Sequence, residues 1–128
     1  MSESTILLVE DEDLLREGIQ EILEANGFSV ISAADGIEAL QCLERESVSL
    51  VISDLVMPRM TGLEFVAQVR EKHPVLPIVI VSGSLGAVMK RMGIDSIQVP
   101  GATASIMKPF KSSELLALVR QLIVTPAN

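Results

Sequence analysis

The sequence predicts an α/β domain, with five parallel strands in one sheet and helices on both faces. Short β-branched or apolar runs alternate along the chain with longer segments of helical spacing. The runs are apolar throughout and do not alternate with polar residues, as strands covered on both faces require. A β-α-β-α order with right-handed crossovers then puts helices on the two sides of a single parallel sheet.

The strand runs are "TILLV" (5–9), "FSVIS" (28–32), "LVIS" (50–53), "IVIVS" (78–82) and "ASIM" (104–107). Between the first two, "EDLLREGIQEILEANG" sets Leu15, Ile19, Ile22 and Leu23 on one stripe and stops at Asn26-Gly27. "DGIEALQCLERE" aligns Ile37, Leu40 and Leu43, with Asp35 available as a cap. "GLEFVAQVREKHP" aligns Leu63, Val66 and Val69 and ends at His73-Pro74. "SSELLALVRQLI" opens on Ser112 or Ser113 and directs Leu115, Leu118, Val119 and Leu122 inward. From Leu85 to Thr103 the pattern is weakest: "LGAVMKRMG" fits a short helix and "IDSIQVPGAT" a loop.

Composition narrows the function classes. The 128 residues suit one domain, expected over 3–124 with 125–128 as a tail or truncated linker. A net charge of -7 argues against direct nucleic-acid binding, which Lys and Arg largely supply. One cysteine, Cys42, cannot bridge internally, and no charged-then-apolar leader is evident, so a reducing cytoplasmic location is expected. The longest apolar runs are far short of a membrane span. Cys42 reads as a core or semi-buried residue of the second helix, His73 as a helix end, and most methionines as packing. Met89 and Met92, near Lys90 and Arg91, suit an adaptable contact surface.

"VISDLVMP" carries the chemistry. An interior strand that ends in Asp54 places a carboxylate where desolvation is costly unless a partner compensates it. In an open parallel sheet the site lies beyond the carboxyl ends of the strands, and there the sequence sets Glu10, Asp11, Asp54, Ser82 and Lys108. Two carboxylates about 5 Å apart repel by roughly 3 kcal/mol at an effective dielectric of about 20. Lys108 can neutralise one charge, which leaves room for a hard divalent cation; an all-oxygen, partly hydrated site suits Mg²⁺. A carboxylate beside such a metal is a candidate nucleophile toward phosphorus, with a lysine and a hydroxyl to meet the oxygens of the transferred group. By contrast Glu12 and Asp13 read as a solvated helix start.

"ILLVEDE" (6–12), "ISDLVMPRMTG" (52–62), "VIVSG" (79–83) and "MKPF" (107–110), in that order and spacing, resemble the CheY-like receiver domain of two-component response regulators. The likeness spans nearly the whole chain. It implies a (βα)5 flavodoxin-like fold with strand order 2-1-3-4-5. It also implies that Asp54 accepts phosphate from a sensor histidine kinase or a histidine phosphotransfer protein. Asp11, Asp54 and the Val56 carbonyl would hold Mg²⁺ directly and Glu10 through water. Lys108 would pair with the phosphoryl group, ahead of a cis bond to Pro109, and the Ser82 hydroxyl would carry the signal.

Two departures qualify the resemblance. Ser105 stands where the family commonly has Tyr or Phe as a rotameric switch, so an aromatic flip cannot report the signal. The stretch from Ser82 to Gly101 is a few residues longer than usual and includes the region many receivers use to dimerise or to contact targets. The expected partners are therefore a kinase or phosphotransfer protein, a downstream target or attached output domain, and a second copy of the chain. A phosphorylatable switch, which is not a turnover enzyme though it supports its own phosphorylation and dephosphorylation, is the leading reading. An interaction module working without phosphorylation is the alternative. An aspartyl-nucleophile hydrolase is weaker because Val56 replaces the second acid, and a dinucleotide site lacks its glycine fingerprint.

Overall fold

The computed structural model describes residues 4–83 and 99–123. Along the chain lie β1 (Thr5–Val9), α1 (Asp13–Ala25), β2 (Ser29–Ala33), α2 (Gly36–Arg45), β3 (Leu50–Asp54), α3 (Gly62–Lys72), β4 (Ile78–Ser82), β5 (Ala104–Met107) and α4 (Ser112–Ile123). All neighbouring strands are parallel, in the order β2-β1-β3-β4-β5. This is the doubly wound order implied by the resemblance. The short helix expected at 85–93, the Met89–Met92 surface and the tail at 125–128 lie outside the described residues.

Because successive side chains of a strand face opposite sides, each central strand supplies two apolar layers. Leu7, Val9, Val51, Ile78 and Ile80 pack with Ala39 and Leu43 of α2 and Phe65, Val66 and Val69 of α3. Ile6, Leu8, Leu50, Ile52, Val79 and Val81 pack with Ile19 and Leu23 of α1 and Leu115 and Val119 of α4. Each such side chain contributes about 1.5–3 kcal/mol on burial. Both faces of the central strands are thereby closed, and exposed polar chemistry is left to the strand ends.

Several details differ from the sequence expectation. The edge strands β2 and β5 are mostly half-buried, since each has one neighbour and less cover. Ile37 and Leu63, expected inside, are exposed, because each sits in the first turn of its helix, beyond the sheet's cover. Ala39, Cys42 and Phe65 take the inner positions instead. On α4, Leu118 and Leu122 are half-buried flanks of Leu115 and Val119.

The helix ends follow local chemistry. Gly27 adopts φ +93° directly after the Asn26 cap of α1, a conformation that favours glycine. Asp35 caps α2 by accepting from the Glu38 N–H at 2.9 Å, and Thr61 with Glu64 forms a reciprocal capping box on α3. At the amino ends of β4 and β5, Arg70 donates to the carbonyls of Gly101 and His73, both at 2.8 Å. Beside it Thr103 Oγ1 accepts from the Ile78 N–H at 2.9 Å.

Candidate functional site

The sheet's own hydrogen bonding extends one residue past the strands and carries the site with it. Glu10 N donates to Ala33 O at 3.0 Å, Leu55 N to Val81 O at 3.0 Å and Lys108 N to Ser82 O at 2.7 Å. Glu10, Asp54 and Lys108 share the strand phase of Leu8, Ile52 and Ile106, which belong to the layer under α1 and α4. One step further along each strand the same face is polar. Their side chains meet: Lys108 Nζ lies 3.3 Å from Glu10 Oε1 and 3.6 Å from Asp54 Oδ2. The lysine is thus shared between two carboxylates, though its single charge can neutralise only one.

Asp11 completes the cluster. Carboxylate oxygens of Glu10, Asp11 and Asp54 all lie within 4.8 Å of one another. Three acids against one ammonium leave net negative charge, and like pairs at that spacing repel by about 3 kcal/mol at an effective dielectric of about 20. Glu10 is 2 % and Asp54 9 % exposed, whereas Asp11 is exposed. Burial pushes the Glu10 carboxyl above its ordinary 4.5 and the Asp54 charge adds to this; the Glu12 N–H and Lys108 pull it down. Asp54 is oriented by the Leu55 N–H, which donates to Oδ1 at 2.8 Å.

These groups line an open cleft of about 520 Å³ together with Val56 and Gly83. Ser82 stands on the strand between those of Asp54 and Lys108, with its hydroxyl buried and no hydrogen-bond partner among the described residues. A buried hydroxyl without a partner is costly. Ser82 is not among the residues that line the cleft; its position follows Ile78 and Ile80, which belong to the layer under α2 and α3. Oxygen donors only, one of them solvent-facing, fit a hard, partly hydrated cation such as Mg²⁺. Ser105 lies mid-strand opposite Ile80, half-buried, and is not part of the cleft wall.

Some supporting residues escaped the sequence reading. Arg16 donates to the Glu10 carbonyl at 2.7 Å and pairs with Asp13 at 2.6 Å, which fixes the turn between β1 and α1. Gly83 leaves space for the lysine stem, since a Cβ there would lie 3.2 Å from Lys108 Cδ. Gly62 lets α3 start against the backbone of Asp54 and Leu55, where a Cβ would come within 2.9 Å of three backbone atoms. Both glycines close the motifs "VIVSG" and "ISDLVMPRMTG", and that was the available signal. The Lys108–Pro109 bond is cis, as the resemblance implies.

A family model described as the response regulator receiver domain matches residues 6–120. The chain belongs to this family. Response regulator MprA of Mycobacterium leprae is 36% identical over 118 residues, covering 92% of this chain and 50% of that protein. MprA of Mycobacterium avium gives the same identity and coverage. This receiver domain therefore spans about half the length of those relatives. Among solved structures, the chemotaxis response regulator CheY4 of Vibrio cholerae is 32% identical with a TM-score of 0.81, covering 94% of this chain and 99% of that one. The receiver domain of NtrX from Brucella abortus is 28% identical with a TM-score of 0.80, at 94% and 99% coverage. Membership of the two-component signalling class follows. Among the described residues no helix is long and apolar enough to cross a membrane.

Proposed function

We propose that this receiver domain, residues 3–124, is a cytoplasmic phospho-accepting switch. It takes a phosphoryl group from a histidine kinase or histidine phosphotransfer protein onto Asp54. The observation that carries this reading is the joint presence of the Glu10, Asp11 and Asp54 carboxylates and the Lys108 ammonium in one cleft; Ser82, whose hydroxyl has no partner among the described residues, ends the strand between those of Asp54 and Lys108.

In the transfer, an Asp54 carboxylate oxygen bonds to phosphorus as the phosphorus–nitrogen bond to the donor imidazole breaks, and its electron pair stays on that nitrogen. Glu10, Asp11, Asp54 and the Val56 carbonyl would hold Mg²⁺. Bound there, the ion neutralises charge on the phosphoryl oxygens. Lys108 is held at the rim by Glu10 and Asp54 and meets the incoming oxygens as a point charge. The Ser82 hydroxyl, without a partner among the described residues, would swing to a phosphoryl oxygen. Phosphorylation turns a carboxylate of one negative charge into an acyl phosphate of about two, and redistribution of Lys108 and Ser82 around it changes affinity for a target, either an attached output domain or a separate protein.

Incubation with radiolabelled acetyl phosphate and Mg²⁺ should label the wild-type chain with at most one phosphate, without sustained turnover, and leave an Asp54→Asn variant unlabelled. Equal labelling of the variant would remove Asp54 from this role. Ser105, a small residue where the family has an aromatic, favours a second reading in which the domain binds partners without phosphorylation. Amide NMR shifts at Asp54, Ser82 and Lys108 that stay fixed on adding beryllofluoride and Mg²⁺ would select it.

A further inference from the structure

The loop from Leu55 to Thr61 forms one wall of the cleft through Val56; Met57 anchors its middle in the layer under α2 and α3, whereas Pro58 and Arg59, the next two residues, are exposed. Its ends are secured: Leu55 N is bound at 3.0 Å to Val81 O, and Gly62 N at 2.8 Å to Leu55 O. Between them Arg59 has φ +68°. The left-handed conformation is unfavourable for a residue with a side chain. Something must therefore hold it.

The grip comes from the corner between β2 and α2. The Arg59 guanidinium is paired with Asp35 Oδ2, whose side chain is 8 % exposed against 65 % for Arg59. The other Asp35 oxygen is committed to the α2 cap through the Glu38 N–H, so the carboxylate cannot turn to follow a moving loop. Met60 lies against the next residue, Gly36: a Cβ there would come within 2.8 Å of Met60 Sδ. The pair Asp35-Gly36 is thus a fixed seat for Arg59-Met60.

We infer that Asp35 and Arg59 are positioning residues for the metal side of the cleft, locking the loop so that the Val56 carbonyl is already placed when Mg²⁺ binds. Neither residue touches the ion. Preorganisation is lost equally if either partner is removed, because both act through one contact. The inference rests on the Mg²⁺ reading above, with Val56 as a ligand.

Mg²⁺ titrations followed by amide NMR test it directly on the unphosphorylated chain. Asp35→Ser retains a capping oxygen but is too short to reach Arg59; Arg59→Gly frees the loop from the other side and tolerates the same φ. Each should raise the Mg²⁺ dissociation constant by about tenfold, the lower end of what outer residues of metal sites contribute. The double variant should be no weaker than either single one. A Val119→Ala core variant, destabilised far from the loop, should bind Mg²⁺ as the wild type does and so separates positioning from general loss of stability. Wild-type binding with unchanged affinity in both single variants, or additive losses in the double, would overturn the inference alone. Absence of Mg²⁺ binding by the wild-type chain would overturn the metal reading and this inference with it.

Discussion

The two ends of the sheet treat polar groups in opposite ways. At the amino ends of β4 and β5, Arg70, Thr103 and the carbonyls of Gly101 and His73 satisfy one another. At the carboxyl ends, two of three clustered carboxylates share one lysine and a buried hydroxyl lacks a partner among the described residues. The satisfied end contributes stability, and the frustrated end holds free energy that only a ligand can release. Stability and function are thus separated along the strand axis of a small domain.

Substitutions at the two ends should consequently differ in sign. Without Mg²⁺, Asp54→Asn removes two repulsions and one attraction, and should raise stability by about 2 kcal/mol in urea unfolding, given about 3 kcal/mol per close pair before screening. Saturating Mg²⁺ should stabilise the wild type and erase that advantage. Loss of stability in the metal-free variant would contradict the picture of a frustrated rim. At the other end Arg70→Ala should cost about 1–2 kcal/mol, because it strips partners from two carbonyls, while leaving the Mg²⁺ titration curve in place.

Hydroxyls sharpen the contrast at smaller scale. Thr103→Val removes the acceptor for the Ile78 N–H and should cost about 1 kcal/mol, whereas Ser82→Ala deletes a hydroxyl unpaired among the described residues and should be neutral or stabilising by under about 1 kcal/mol. Thermal melts of the two variants, run without Mg²⁺, compare them. The smallest effect concerns acid. The Glu38 N–H and Arg59 hold the Asp35 carboxyl below its ordinary 3.8. Its folded-state pKa is depressed, so its stabilisation is complete above pH 3.8 and fades as pH falls through the lower folded value. The urea-midpoint difference between wild type and Asp35→Asn should therefore be constant from neutral pH down to that range and shrink below it.

Much of this was legible in the sequence because the relevant signals are local. Unbroken apolar runs marked the central strands, and strand-end acids and the lysine marked the rim. Ile37 and Leu63 misled because helical spacing reports a stripe but not how far the sheet extends beneath it. The edge strands misled for a related reason: apolar runs do not reveal which strand has a neighbour on one side only. Asp35 was readable as a cap, yet its pairing with Arg59 spans 24 positions and depends on a backbone turn that no spacing rule encodes. That Lys108 bridges two acids also required three strands to be set in register.

Residues 10, 54 and 108 all occupy even steps of strands whose even steps otherwise feed the layer beneath α1 and α4. Inserting or deleting a single residue just before any of them would swing its charge to the opposite layer of the molecule. Length variation among relatives should accordingly be confined to connections that do not disturb this phase, such as the stretch between β4 and β5, where an added residue leaves both flanking strands in step.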